Sequence, residues 1–257
     1  MRALREAATF QFVNPKACLI ALTAAILFLP SRSSPGAALA ATGIMMVRQA
    51  RSAKSSTRMP IHLPPATRNL LLANVCVFVL QQVLDPRLVA WFYLWPPGTH
   101  FQPWQLISYG FLHEGFLHIF VNMFALFMFG TPMERYLGTG RFVVYYFVCL
   151  LTAGLTQLTV SALANSSAPT LGASGAIFGL LLAFAMYFPR QRVTLLFPPI
   201  PMPAWAFVTI YGLFELFMGV TGSEGSVAHF AHLGGMLGGA AMILIWRVKD
   251  GAPGPQR

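Results

Sequence analysis

The sequence predicts an all-α polytopic membrane protein with six transmembrane helices. Of its 257 residues 56% are hydrophobic and only 9% charged, whereas about a quarter of a soluble domain is charged. Most of the chain is therefore expected in lipid. From Arg68 onward the apolar residues resolve into six runs, 69–83, 104–130, 142–163, 172–188, 203–220 and 226–246, each bounded by Pro, Gly or a charge. Of the 17 Lys and Arg, only Arg87 falls on the side opposite the rest. Basic loops stay on the cytoplasmic side, so both termini are expected there.

In chain order, the pattern divides into a basic N-terminal extension over 1–65, a six-helix domain over 66–248 and a short tail over 249–257. Residues 1–68 hold nine Lys or Arg against one acid, Glu6. Their apolar run, 17–29, is about 13 residues, short of the roughly 20 that a span needs. If it did span, Arg2, Arg5 and Lys16 would be stranded outside. The run reads as a signal-peptide core; the Arg-rich, acid-poor leader also resembles an organelle transit peptide. A third reading starts translation at Met59, because Met59-Pro60-Ile61-His62 looks like the polar preface to a first helix. Under that reading residues 1–58 are absent from the mature protein, and an intact mass that includes them would rule it out.

The net charge of +10 raises the question of nucleic acid. Its sources sit in short loops and at the N-terminus instead of along an aromatic-studded face, so membrane topology is the expected cause and no nucleic-acid partner is expected. Cys18, Cys76 and Cys149 lie far apart in apolar runs, without disulfide or zinc spacing. Residues 91–105 are rich in Trp, Phe, Tyr and Pro and are expected in the interface. Pro198, Pro199, Pro201 and Pro203 mark a stiff inner turn.

The fourth run opens with Leu171-Gly172-Ala173-Ser174-Gly175-Ala176-Ile177-Phe178-Gly179. A serine between glycines near a helix start can offer both a hydroxyl and a backbone N–H to another chain, as a serine nucleophile requires. Small residues at this spacing equally serve helix packing. Depth separates the two readings. Ser174 lies 14 residues before Phe188, His232 14 before Trp246, and His118 12 before Gly130. At about 1.5 Å per residue these are heights of roughly 21, 21 and 18 Å above the cytoplasmic ends. In a hydrocarbon layer about 30 Å thick, that level is about 10 Å below the outer surface. Asn122 follows His118 by one turn and shares its face. A lone intramembrane His or Asn can be a satisfied interhelix hydrogen bond, but four polar groups at one depth point to a site. Gly234, Gly235, Gly238 and Gly239 are expected to let the sixth segment press against the fourth.

Gly172-Ala173-Ser174-Gly175, His118 with Asn122, and Ala231-His232 followed by Gly235 and Gly239 resemble the three signatures of the rhomboid family of intramembrane serine proteases. The match covers about residues 66–248. The resemblance implies the six-helix rhomboid fold of bacterial members, and a location in a bacterial inner membrane. It implies Ser174 as nucleophile and His232 as general base, a dyad without a carboxylate; no acid lies at that depth in the fourth or sixth segment. His118, Asn122 and the Ser174 N–H would form the oxyanion hole. Phe178 would lie against the catalytic histidine, and Gly172, Gly175, Gly235 and Gly239 would be supporting residues. His113, His229 and Glu134 match positions with structural roles. The fifth segment, with Trp205, Phe207 and Phe214, and the loop 221–226 resemble the family's lateral gate and cap. Trp104-Gln105 departs from the family's Trp-Arg pair, which puts the outer loop's anchoring contact in doubt.

The activity so implied is cleavage of single-span membrane proteins in the outer part of the bilayer, without metal or other cofactor. Three other classes fit less well. His113-Glu114 with His118 is a near miss for a zinc-protease helix; five residues apart, the two histidines would diverge by about 140° on a helix. A catalytically silent, rhomboid-like escort module would lack the Ser or the His, and a transporter would show repeats or paired broken helices.

Overall fold

The structure, a computed structural model, describes residues 63–194, 201–221 and 226–250. The sequence readings of residues 1–62, of Pro198 and Pro199, of the loop 222–225 and of the tail 251–257 lie outside them. The described chain is helical apart from one hairpin of two three-residue strands.

Helix α1, Pro65–Val83, starts on a proline, where the missing N–H costs nothing. Its first turn is held by a distant acid. Glu134 accepts the Ala66 N–H at 2.9 Å, the Thr67 N–H at 2.6 Å, the Thr67 hydroxyl at 2.8 Å and the Thr139 hydroxyl at 2.9 Å. A buried carboxylate thus neutralises the positive end of α1 and fastens it to the inner ends of two later helices. A short α2, Pro86–Ala90, follows on Asp85, which accepts the Arg87 N–H.

The outer loop then folds down on Gln105, which is completely buried. Gln105 accepts the Trp95 N–H and donates to the carbonyls of Trp91 and His100, all at 3.1 Å. The doubt about the loop's anchor is thereby corrected: a neutral amide, with acceptor and donors on one group, does the holding here. Trp91, Phe92 and Trp104 stay exposed, consistent with seating in the interface.

The second predicted segment is also corrected. Instead of one helix over 104–130, a short α3, Gln105–Ser108, and a 3₁₀ turn, Tyr109–Phe111, lead to extended backbone at Gly115. The span then starts at Phe116. It runs through α4, Phe116–Ala125, a π turn, Leu126–Gly130, and α5, Thr131–Leu137, as one apolar stretch of 22 residues. The hydropathy run began early because Leu106, Ile107, Phe111 and Leu112 lie in the turns in front of it.

Gly138, at φ 78°, makes the sharp turn into α6, Thr139–Leu163. Next come α7, Ser174–Tyr187, the antiparallel strands β1, Arg192–Thr194, and β2, Pro201–Pro203, then α8, Ala204–Val220, and α9, Ser226–Asp250. Four of the six expected spans are long and apolar enough to cross a membrane; α7 and α8 are apolar but shorter. At 14 residues α7 rises only about 21 Å. Ten of those residues are buried, packed among α6, α8 and α9, so this helix need not match the lipid thickness. The outward faces of α1, α8 and α9 expose Val79, Ile210, Leu213, Phe217 and Leu237. That is the surface of an integral membrane protein.

Two glycine stripes on α9 set the core. A side chain at Gly235 would collide with the Gly175 carbonyl of α7, and one at Gly239 with the Tyr145 hydroxyl of α6. Gly234 and Gly238 face Thr156 and Thr152 of α6 in the same way. The expected approach to the fourth segment is thus real at Gly235, whereas Gly234, Gly238 and Gly239 pack on α6. Replacing Gly235 by Ala forces Cβ into main chain that cannot swing aside. The expected cost is about 1–3 kcal/mol, visible as a lower unfolding temperature in detergent; an unchanged transition would contradict this packing.

Candidate functional site

Ser174 is the first residue of α7. Its N–H is one of the four at a helix start with no intrahelical acceptor by position, and the positive end of the helix dipole lies there. The chain before it is pinned. Leu94 and Thr170 exchange backbone hydrogen bonds of 3.0 and 2.9 Å, and the Gly172 N–H donates to the Tyr109 carbonyl at 2.9 Å. Gly172 has φ 127°, a conformation open to glycine.

His232, on α9, brings Nε2 to 2.8 Å from Ser174 Oγ. The Gly175–Gly235 contact one turn along sets that separation. Phe178, one turn into α7, stacks on the His232 ring with centroids 4.1 Å apart and planes 6° from parallel. Tyr211 of α8 stacks on the far face of Phe178 at 5.2 Å. The imidazole is therefore clamped in one plane.

His118 stands across from Ser174. Its Nδ1 accepts the Glu114 N–H at 3.4 Å, so a neutral ring carries its proton on Nε2. A Cβ added to Gly172 would lie 3.0 Å from His118 Nε2 and 3.7 Å from Ser174 Oγ. The side chain that Gly172 lacks thus leaves a small space bordered by a hydroxyl and an N–H donor. A peptide carbonyl in that space would meet an attacking oxygen on one side and a donor on the other. Asn122, one turn after His118, is buried and donates one amide hydrogen to the His118 carbonyl at 2.9 Å.

The depth count for His118 rests on a helix end that the structure moves. The span of His118 continues seven residues past Gly130, so a height measured from Gly130 is measured from the wrong end. The three groups are joined by contact: His232 Nε2 lies 2.8 Å from Ser174 Oγ, and that hydroxyl and His118 Nε2 both border the space at Gly172. The angular argument separating His113 from His118 also fails, because His113 precedes the helix; their rings meet edge-on with centroids 5.1 Å apart. His113 is held through its backbone, which exchanges two hydrogen bonds with the Gln81 side chain of α1.

One residue was missed. Glu215 of α8 is 2% exposed and sets Oε2 at 3.0 Å from His232 Nδ1 and 2.6 Å from His229 Nδ1. The expectation of a carboxylate-free pair is corrected by this contact. The signal was present: Glu215 is the one acid in the fifth run, 12 residues above Pro203, about 18 Å by the same helical count. The count had been applied only to segments running in the other direction.

Comparison with known proteins speaks to the family. Residues 100–249 match the model of the Rhomboid domain. The chain belongs to the rhomboid family. It is 32% identical over 194 residues to rhomboid protein 1, mitochondrial, of Saccharomyces cerevisiae, covering 69% of this chain and 55% of the yeast protein. Rhomboid protease GlpG of Pectobacterium atrosepticum is 27% identical over 180 residues, 69% of this chain and 61% of its own. Rhomboid protease GlpG of Klebsiella pneumoniae is 28% identical over 192 residues, 70% and 63%. This rhomboid thus spans less than two thirds of the length of these relatives.

The Gly172 space is directly testable. Gly172→Ala adds a methyl where the carbonyl would sit and strains a left-handed backbone at a cost of about 1–3 kcal/mol. Binding of an active-site serine reagent is expected to fall at least tenfold, while a folded protein remains by size exclusion. Undiminished labelling would mean that the space is not used.

Proposed function

We propose that this rhomboid is an intramembrane serine endopeptidase in which Ser174 is the nucleophile and His232 its general base. The observation that carries the proposal is the 2.8 Å contact between Ser174 Oγ and His232 Nε2. His232 Nε2 takes the hydroxyl proton as Oγ attacks the peptide carbonyl. The negative charge then develops in the Gly172 space. His118 Nε2, the Ser174 N–H and the second amide hydrogen of Asn122 are the donors that receive it. In a low-dielectric site such preorganised donors strengthen as charge forms, by about 3 kcal/mol each. His232 returns its proton to the departing amine, and a water, activated by the same ring, releases the acyl group.

Access follows from position. Ser174 begins α7 beneath the outer loop, so the scissile bond is presented near the outer part of the membrane and water comes from that side. A helical substrate must unwind there to expose a carbonyl. Single-span membrane proteins with small residues at the cut are the substrate class that fits. The printed names of the bacterial relatives, rhomboid protease, support the activity. The partition of basic residues supports an orientation with both termini on the cytoplasmic side. With the bacterial relatives, we place the protein in a bacterial inner membrane.

The test is cleavage of a single-span substrate in liposomes. Ser174→Ala and His232→Ala are each expected to lower the rate at least about 10³-fold, and His118→Ala to lower kcat about 10²–10³-fold. A chelator is expected to change nothing. Activity that survives Ser174→Ala would sink the assignment, and a wild-type protein that binds but never cuts would point to an escort role.

A further inference from the structure

We propose that Glu215 is a positioning residue for the Ser174–His232 pair, so that the reaction runs on a Ser–His–Glu relay whose carboxylate comes from α8. This rests on the serine-protease reading above. For Nε2 to accept the serine proton, the neutral His232 ring must carry its hydrogen on Nδ1. Nδ1 faces Glu215 Oε2 at 3.0 Å, which selects that tautomer over the inactive one. The same carboxylate faces the imidazolium once the serine proton has moved, and steadies the charge that forms there.

The burial of Glu215 points the same way. An acid in an apolar helix, 2% exposed, is expensive unless its charge is met by donors. Here both donors lie one turn apart on α9, and both meet the same oxygen, Oε2. His229 serves as the second anchor. It holds the carboxylate at 2.6 Å, so that Glu215 remains in place while His232 gains and loses a proton. Phe178 fixes the plane of the ring; Glu215 fixes which nitrogen bears the hydrogen. Neither constraint supplies the other.

His229, His232 and Glu215 also form a cluster able to ligate a metal ion. Their separations of 2.6 and 3.0 Å are hydrogen-bond distances. Ligands about 2.0 Å from a tetrahedral zinc stand about 3.3 Å apart. The geometry therefore favours shared protons.

The experiment uses the full chain in liposomes, with wild type, Ser174→Ala, Glu215→Gln and Glu215→Asp. Three quantities are read for each: kcat and KM on a single-span substrate, the rate of Ser174 phosphonylation by a fluorophosphonate, and the unfolding temperature. Glu215→Gln is expected to keep KM within about twofold of wild type. Its kcat and phosphonylation rate should fall together, by about 10²–10⁴-fold. Glu215→Asp, which keeps the charge but shortens the reach, should lie between. The proposal is overturned if Glu215→Gln keeps kcat within threefold, or if cleavage falls while phosphonylation does not. The first would mean that the carboxylate is dispensable, the second that it serves substrate entry. If Glu215→Gln does not fold, Glu215→Asp decides: a rate within threefold of wild type at a lowered unfolding temperature assigns Glu215 to stability alone. Wild-type activity lost to a chelator would make the cluster a metal site and end the relay. A wild type that neither cleaves nor labels would defeat the protease reading itself, an outcome distinct from failure at Glu215.

Discussion

The site depends on how closely α9 can lie against α7. Gly235 meets the Gly175 carbonyl with no room for a methyl group, and the two residues of the pair, Ser174 and His232, sit within one turn of that contact. Their hydrogen bond of 2.8 Å is thus a property of two backbones before it is a property of two side chains. In lipid, where apolar faces gain little from meeting each other, close approach and interhelical hydrogen bonds are what hold helices together. The same glycines serve stability and chemistry at once.

Around this contact, several buried polar groups tie one element to the next, as a low-dielectric interior favours. Glu134 gathers four donors and ties α1 to the inner side of the bundle. Tyr145 donates to the Gly179 carbonyl and Tyr109 to the Leu150 carbonyl, both at 2.7 Å, bracing α6 against α7 and the outer turn. Gln105 holds the outer loop, and that loop in turn holds the strand-like stretch ending at Gly172. Each link positions the next, from the membrane surface to the start of α7. At the opposite end of the bundle, Arg141 lies over the Trp246 ring and Arg247 over Tyr187, so cations and aromatic rings finish the ends of the helices.

Much of this was legible in the chain. Ser174, His118, Asn122 and His232 stand out because a polar side chain in an apolar run is costly, and they fall in three motifs on three segments. Phe178 was legible through the family resemblance, which sets a ring one turn after Ser174. Where the reading failed, it had assumed regular helix. Segment two began at residue 104 on hydropathy alone, although Gly110 and Gly115 interrupt it. His113 was given a helical angle it does not have. Gln105 looked like the loss of an anchor, because a neutral amide is weaker than an arginine in isolation; only the folded loop reveals three backbone groups waiting for it. Glu215 obeyed the rule used for the others and was passed over because it lies on a helix of opposite direction.

Taken by itself, the sequence determined which parts of this protein enter lipid, how many helices they form, and which polar residues are too costly there to be incidental. Those properties are local: they follow from hydropathy, from charge beside each run, and from helical spacing. The tertiary structure decided which of these residues meet. It set Gly172 against His118, turned Gly235 to α7 and its neighbouring glycines to α6, and set Glu215 behind His232. Such pairings depend on the relative position of helices far apart in the chain, and that position is set by side-chain volume at their contacts, which no single segment encodes.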